Sequence, residues 1–94
     1  MPQNTRYTVG TSWLMVTDAD VTTVTFQNIT HGGRLIAATV GATAPTSDDG
    51  AISYGAAQGE RNAALADLFP GVSGANRLWA RIAGSSGTLF ISHA

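Results

Sequence analysis

The acidic residues of this chain are the first candidates for chemistry, and four of the six lie in two short clusters, Asp18-Ala19-Asp20 and Asp48-Asp49-Gly50. A calcium site needs about six oxygen ligands, and the glycine and late glutamate of an EF-hand loop do not follow Asp18 at the required spacing. Aspartate side chains commonly bond backbone amides in turns. We therefore interpret both clusters as turns and predict no calcium site.

The two histidines, His31 and His93, are the remaining candidates for metal binding. A zinc site needs about three or four protein ligands, and the chain contains no cysteine to complete a set. His31 stands before two glycines and His93 stands near the end of the sequence, so both are predicted to be exposed polar side chains. A metal site would require a trimer axis that gathers three copies of one histidine. We expect no metal and no cofactor.

Catalytic motifs are the next possibility. The nucleophile elbow of serine hydrolases reads Gly-x-Ser-x-Gly, and Gly84-Ser85-Ser86-Gly87 does not match it. A phosphate-binding loop stands between a strand and a helix, whereas Gly71-Val72-Ser73-Gly74 precedes a predicted strand. The carboxylates that glycoside hydrolysis would use are predicted to lie in turns or on a short helical segment. The sequence therefore predicts no catalytic residues and a protein that is not an enzyme.

Four aromatic residues, Tyr7, Trp13, Tyr54 and Trp79, could form a platform for sugars, because a flat ring matches the C–H face of a pyranose. In so small a chain, tryptophan more often belongs to the core or to a subunit interface. We favour the second interpretation and keep the first as the alternative.

Trp79 lies in the most informative segment, where Leu78, Ala80 and Ile82 alternate with Arg77, Trp79 and Arg81. This period of two is typical of a strand with two unlike faces. The apolar face is predicted to join the core. The opposite face, Arg77, Trp79 and Arg81, is the candidate subunit-contact surface, because arginine and tryptophan are both suited to interfaces.

The rest of the chain is divided into short β-prone segments by Gly, Asp and Pro. Strands are predicted at 6–9, 13–17, 21–28, 34–40, 51–54, 77–82 and 88–92, with the last two joined as a hairpin by residues 84–87. Residues 60–69 look helical and are predicted to form one or two turns of helix, or an irregular loop packed by Leu65, Leu68 and Phe69, with Asn62 as a candidate cap and Pro70-Gly71 as the end. Residues 1–94 are thus predicted to form a single all-β domain, a small antiparallel β-sandwich or jelly-roll-like barrel with one short helical segment.

Composition narrows the classes of partner. The net charge is −1 and only 12% of residues are charged, so the basic stripe typical of nucleic-acid binding is missing. The first six residues lack the apolar segment of a secretion signal, and no apolar run approaches the ~20 residues that span a bilayer. We expect neither nucleic acid nor membrane as a partner. The small supply of large apolar residues favours stabilisation by oligomerisation.

Taken whole, the chain resembles the small β-sandwich virion proteins of tailed bacteriophages and gene-transfer particles. Four segments carry the resemblance: Tyr7-Thr8-Val9-Gly10-Thr11-Ser12-Trp13, Val21-Thr22-Thr23-Val24-Thr25-Phe26-Gln27-Asn28, Ala44-Pro45-Thr46-Ser47-Asp48-Asp49-Gly50, and Leu78-Trp79-Ala80-Arg81-Ile82-Ala83 followed by Gly84-Ser85-Ser86-Gly87-Thr88-Leu89. No functional motif is shared residue by residue, so the resemblance assigns no site residues.

The resemblance implies a structural protein of the virion, made in the host cytoplasm. It would decorate or stabilise the capsid, or form part of a head fibre or spike, through symmetric oligomerisation. Its partners would be other copies of itself, commonly in a homotrimer, and virion proteins such as the major capsid protein. A tail-associated subunit and a module that binds carbohydrate or another cell-surface ligand, such as a surface glycan, are the alternatives.

Overall fold

The alternating segments form eight strands and one short helix in a computed structural model that describes residues 2–30, 32–82, 84 and 86–94. The elements are β1 (Gln3–Val9), β2 (Leu14–Met15), β3 (Thr23–Asn28), β4 (Arg34–Thr39), β5 (Ile52–Tyr54), β6 (Gly59–Ala64), α1 (Leu65–Leu68), β7 (Arg77–Arg81) and β8 (Gly87–His93).

Strand pairing is nested along the chain. β4 pairs with β5, β3 with β6, β2 with β7 and β1 with β8, all antiparallel, so the strands form one long hairpin. The hairpin is rolled so that β8 also pairs with β3 and β7 also pairs with β4. Two four-stranded sheets result, β1-β8-β3-β6 (the first sheet) and β2-β7-β4-β5 (the second sheet). This strand order is that of an eight-stranded jelly roll, and the predicted all-β sandwich fold is confirmed.

The core lies between the two sheets. Along β8, Leu89 and Ile91 are fully buried while Phe90 is half-buried, and along β7 the inner residues Leu78 and Ala80 are fully buried. Every second side chain of each strand therefore points inward, and the inward side chains of the two sheets pack together in one apolar layer. Phe26 in this layer contacts the ring of Tyr54 edge-on at 5.0 Å between centroids.

The predicted closing hairpin is wrong. β7 lies in the second sheet between β2 and β4, whereas β8 lies in the first sheet between β1 and β3. The consecutive strands β7 and β8 therefore belong to different sheets and do not pair with each other. Alternation and turn residues indicate where strands are, but the same signals precede a hairpin and a crossing between sheets. Ala83 and Ser85 of this predicted turn lie outside the described residues.

The predicted helix at 60–69 is also wrong in its first half. Residues 59–64 form β6, and only the four residues of α1 are helical. Asn62 is not a cap: it has a φ of +46° where the β3–β6 register shifts, and its backbone N–H donates to Thr25 Oγ1 at 2.8 Å. Pairing with β3 overrides the weak strand propensity of this segment, and the bulge absorbs the extra residue.

Tyr54 provides a test of this packing. Burial, together with the charge of Glu60 and a hydrogen bond to its carboxylate, raises the pKa of Tyr54 from 10.0 to about 12. The folded state thus favours the neutral phenol, so the stability from this group is full below pH 10.0 and is lost as the pH rises towards about 12.

In a Tyr7→Phe variant, Tyr54 is the one remaining tyrosine. We expect its ultraviolet tyrosinate absorbance to develop near pH 12 in the folded protein and near pH 10 in denaturant. An identical titration in both states would show that Tyr54 is not enclosed as described.

Candidate functional site

Arg77, Trp79 and Arg81 lie side by side on the outer face of β7, as the alternation predicts. Met15 of β2 and Ala37 of β4 stand on either side of Trp79 in register. We call this outer surface of the second sheet the β7 face. It comprises Trp13, Met15, Leu35, Ala37, Thr39, Arg77, Trp79 and Arg81.

Trp79 is largely covered by its own chain, since only 6% of it is exposed. Its Nε1–H donates to Thr39 Oγ1 at 2.7 Å, which satisfies the polar atom of the ring. Ala37 beside it is only 4% exposed. Trp79 therefore stabilises the single chain, and it presents little free ring surface to a sugar or to a second subunit.

Both arginines of the β7 face are held by aspartates from the turns. Arg77 Nε donates to Asp20 Oδ1 at 2.9 Å, and Arg81 Nη1 donates to Asp48 Oδ2 at 3.2 Å. The guanidinium of Arg81 also lies 5.9 Å from the centroid of the Trp13 ring, within cation–π range. These half-exposed ion pairs contribute about 0–1 kcal/mol each, but they neutralise the charge of the face.

The accessible part of the β7 face therefore combines apolar side chains with the two paired arginines. Trp13, Met15 and Leu35 are each half-buried on it. Val40, directly after β4, is the most exposed large apolar side chain among the described residues, at 55%. Sequence alternation pointed to Arg77, Trp79 and Arg81, but it missed Met15 and Leu35, which only strand pairing places beside them.

A buried arginine at one end of the sandwich was also missed. Arg34 begins β4 and is completely buried. Its Nη1 donates to the carbonyl oxygens of Gly32 at 3.3 Å and Gly33 at 3.1 Å, and its Nη2 donates to Thr30 Oγ1. Within the described residues no carboxylate forms an ion pair with it, and burial lowers its pKa.

The side chains of Arg34 and Asn28 both donate hydrogen bonds to backbone carbonyl oxygens at this end of the sandwich. Asn28 Nδ2 donates to the carbonyl oxygens of Gly32 at 2.7 Å and Tyr54 at 3.3 Å. Asn28 Oδ1 and Arg34 Nε are buried without a hydrogen-bond partner in the described part of the chain. The sequence carries one signal for the burial of Arg34: it lies on the same face of β4 as Ile36 and Ala38, both of which are buried.

The histidine predictions have different outcomes. His93 was predicted to be exposed, and this is wrong, because it is 8% exposed on the inner side of β8. Its Nε2 lies 3.3 Å from Asp18 Oδ1, although the approach does not meet hydrogen-bond geometry. β1 and β3 flank β8, which turns this penultimate side chain inward. His31 lies outside the described residues.

The described ranges 2–30, 32–82, 84 and 86–94 contain neither a cluster of potential metal ligands nor a helix that could span a membrane. No group of three or more His, Asp or Glu side chains there is placed to hold a metal ion. None of the helical residues in these ranges belongs to a segment with the length and apolar character of a membrane span. Comparison of the chain with protein-family models, with curated proteins and with solved structures finds no match.

Packing at the buried arginine yields a second test. A Cβ on Gly87 would overlap the guanidinium of Arg34, whereas a Cβ on Gly50 would meet no atom within 4 Å. We expect Gly87→Ala to lower the free energy of unfolding by about 1–3 kcal/mol, as overpacking does, and Gly50→Ala to be nearly neutral, as measured by urea denaturation.

Arg34→Met should reduce the cost of Gly87→Ala in a double-mutant cycle, because a flexible thioether chain replaces the rigid guanidinium. Equal unfolding free energies for the two alanine variants would contradict the proximity of Arg34 and Gly87.

Proposed function

We propose that this chain is a structural protein of a tailed phage or phage-like particle, which assembles on the virion through symmetric contacts with other copies and with the major capsid protein. The support is the jelly-roll strand order together with the sequence resemblance. Eight-stranded jelly rolls recur in viral capsid and lectin domains. A fold alone does not determine function, so the chemistry of the outer surfaces of the two sheets must indicate the role of the chain.

The apolar character of the β7 face carries the proposal. Its arginines are already paired with Asp20 and Asp48, so contact with a neighbour buries no unpaired charge. Trp13, Met15 and Leu35 are half-buried in the single chain and would be covered further. Interfaces of this composition, apolar with aromatic, methionine and arginine residues, are typical of subunit contacts.

Trp79 has a supporting role in this arrangement. Since it is 94% covered within the chain, its substitution by alanine would cost about 3–5 kcal/mol of folding stability and would confuse assembly with folding. The half-buried residues beside it are better probes, because a polar side chain at their positions remains in contact with water in the monomer.

We predict that the wild-type chain forms a discrete oligomer, a trimer in the arrangement that the resemblance implies, and that Met15→Thr/Leu35→Thr shifts it to monomer. Threonine retains strand propensity, so circular dichroism should be unchanged. Analytical ultracentrifugation at micromolar concentration measures the assembly state. Gln27→Thr, an exposed position on the outer surface of the other sheet, is the control and should assemble like the wild type.

A wild-type chain that stays monomeric and does not co-band with purified particles in a density gradient would overturn the proposal. Equal assembly of the wild type and the double variant would exclude the β7 face as the contact, even if the protein is found on particles.

A further inference from the structure

The outer surface of the first sheet has a different composition from the β7 face. Its side chains carry hydroxyl, amide and guanidinium groups around one aromatic ring, that of Phe90. We call it the β8 face. It comprises Asn4, Arg6, Thr8, Thr23, Thr25, Gln27, Arg61, Thr88, Phe90 and Ser92.

Phe90 stands at the centre of this surface. It is opposite Arg6 of β1 on one side and Gln27 of β3 on the other, and cross-strand neighbours have Cβ atoms about 4.5–5.5 Å apart. Phe90 is half-buried, whereas Leu89 and Ile91 before and after it are completely buried. The ring therefore lies on the polar surface and not in the core.

A cleft of about 240 Å³ lies beside the ring. It is lined by Thr25, Phe26, Gln27, Ala57, Gly59, Glu60, Arg61 and Phe90. Pockets for drug-sized ligands measure about 300–1,000 Å³, so this open cleft is suited to a single ring and not to a larger cofactor. Hydroxyl, amide and guanidinium groups around one apolar ring are partners that suit a sugar: polar atoms for its hydroxyls, and a flat surface for its C–H face.

The distribution of the arginines indicates which class of sugar the β8 face would bind. The chain has five arginines and no lysine. Arg34 is buried, and Arg77 and Arg81 are paired with aspartates. The other two, Arg6 and Arg61, are exposed on the β8 face without an ion pair to any carboxylate of the described residues. In a chain of net charge −1, this concentration of unpaired guanidinium groups on one surface favours an anionic ligand.

Glu60 is the one carboxylate of the cleft, and it accepts a hydrogen bond from Tyr54 Oη at 3.2 Å. It stands opposite inward-facing Phe26 in the β3–β6 register, so its carboxylate is bonded to the core and not to the ligand. A guanidinium binds a carboxylate through two parallel hydrogen bonds, so Arg61, which lines the cleft, suits the acidic group of the ligand.

We propose that the β8 face binds a carboxylated sugar, such as a sialic or uronic acid residue of a surface glycan. Phe90 packs against the sugar ring, Arg61 binds the carboxylate, and Thr25 and Gln27 bond the hydroxyls. This inference uses a different surface from the subunit contact on the β7 face, so either can fail without the other.

The test is a glycan array followed by isothermal titration calorimetry with matched probes, sialyllactose against lactose and a hyaluronan tetrasaccharide against a neutral tetrasaccharide. We expect the full-length protein, in the assembly state it adopts, to bind at least one carboxylated probe and to bind its neutral partner at least about tenfold more weakly.

Conservative variants separate recognition from folding. Arg61→Gln and Phe90→Leu should each weaken binding about tenfold or more, while Phe90→Tyr, which keeps the ring, should retain it. Arg61→Lys keeps the charge but not the planar fork, so it should bind more tightly than Arg61→Gln and less tightly than the wild type. Each variant is first shown to have the wild-type thermal melt.

Failure of the wild type to bind any carboxylated probe would overturn the proposal. So would equal affinity for neutral and carboxylated probes, or binding that survives both Arg61→Gln and Phe90→Leu.

Discussion

The structure depends on the pairing of the last strand with the first and the third. β8 lies between β1 and β3, and β7 has the corresponding place between β2 and β4. The end of the chain thus supplies an inner strand to each sheet, and neither sheet is complete until residues 77–93 have been added. Strands so distant in sequence must be brought together, at a cost in chain entropy, before their contacts stabilise the fold. We therefore expect slow, cooperative folding for a chain of this size.

This arrangement also determines the two outer surfaces. Side chains alternate along each strand, so the residues that do not enter the core form one face on each sheet. On β7 these are Arg77, Trp79 and Arg81; on β8 they are Thr88, Phe90 and Ser92. The β7 face is apolar with paired charges, and the β8 face is polar with unpaired guanidinium groups. In the particle that we propose, one side of the jelly roll would contact neighbours and the other would face outward.

Sequence reasoning located most of the strands, because alternation and β-branched residues are local signals. Residues 34–39 and 52–54, for example, match the predictions to within a residue. It did not identify partners, since hairpins and crossings between sheets share the same turn residues, and it placed a helix where pairing with β3 makes β6. Buried Arg34 was missed because a shared strand face with Ile36 and Ala38 is a weak signal for a charged residue, and the sequence does not show that Thr30, Gly32, Gly33 and Gly87 enclose it.

For the candidate surfaces too, the sequence predicts which residues of one strand share a face but not which residues of other strands lie beside them. The β7 residues share a face, as alternation predicts, but their coverage by Thr39, Asp20 and Asp48 comes from distant segments. Phe90 could have been recognised as the outward aromatic of 88–92, because its parity is opposite to that of Leu89 and Ile91. Its relation to Arg6, Gln27 and Arg61 could not, since those residues come from three other strands.

Hydroxyl-radical footprinting of the assembled protein tests the opposite roles of the two faces most directly. Met15 reports on the β7 face and Phe90 on the β8 face, and both react with the radical when water reaches them. We predict that the oxidation of Met15 falls on assembly while that of Phe90 stays at the monomer level. Protection of Phe90 with unchanged oxidation of Met15 would contradict the account.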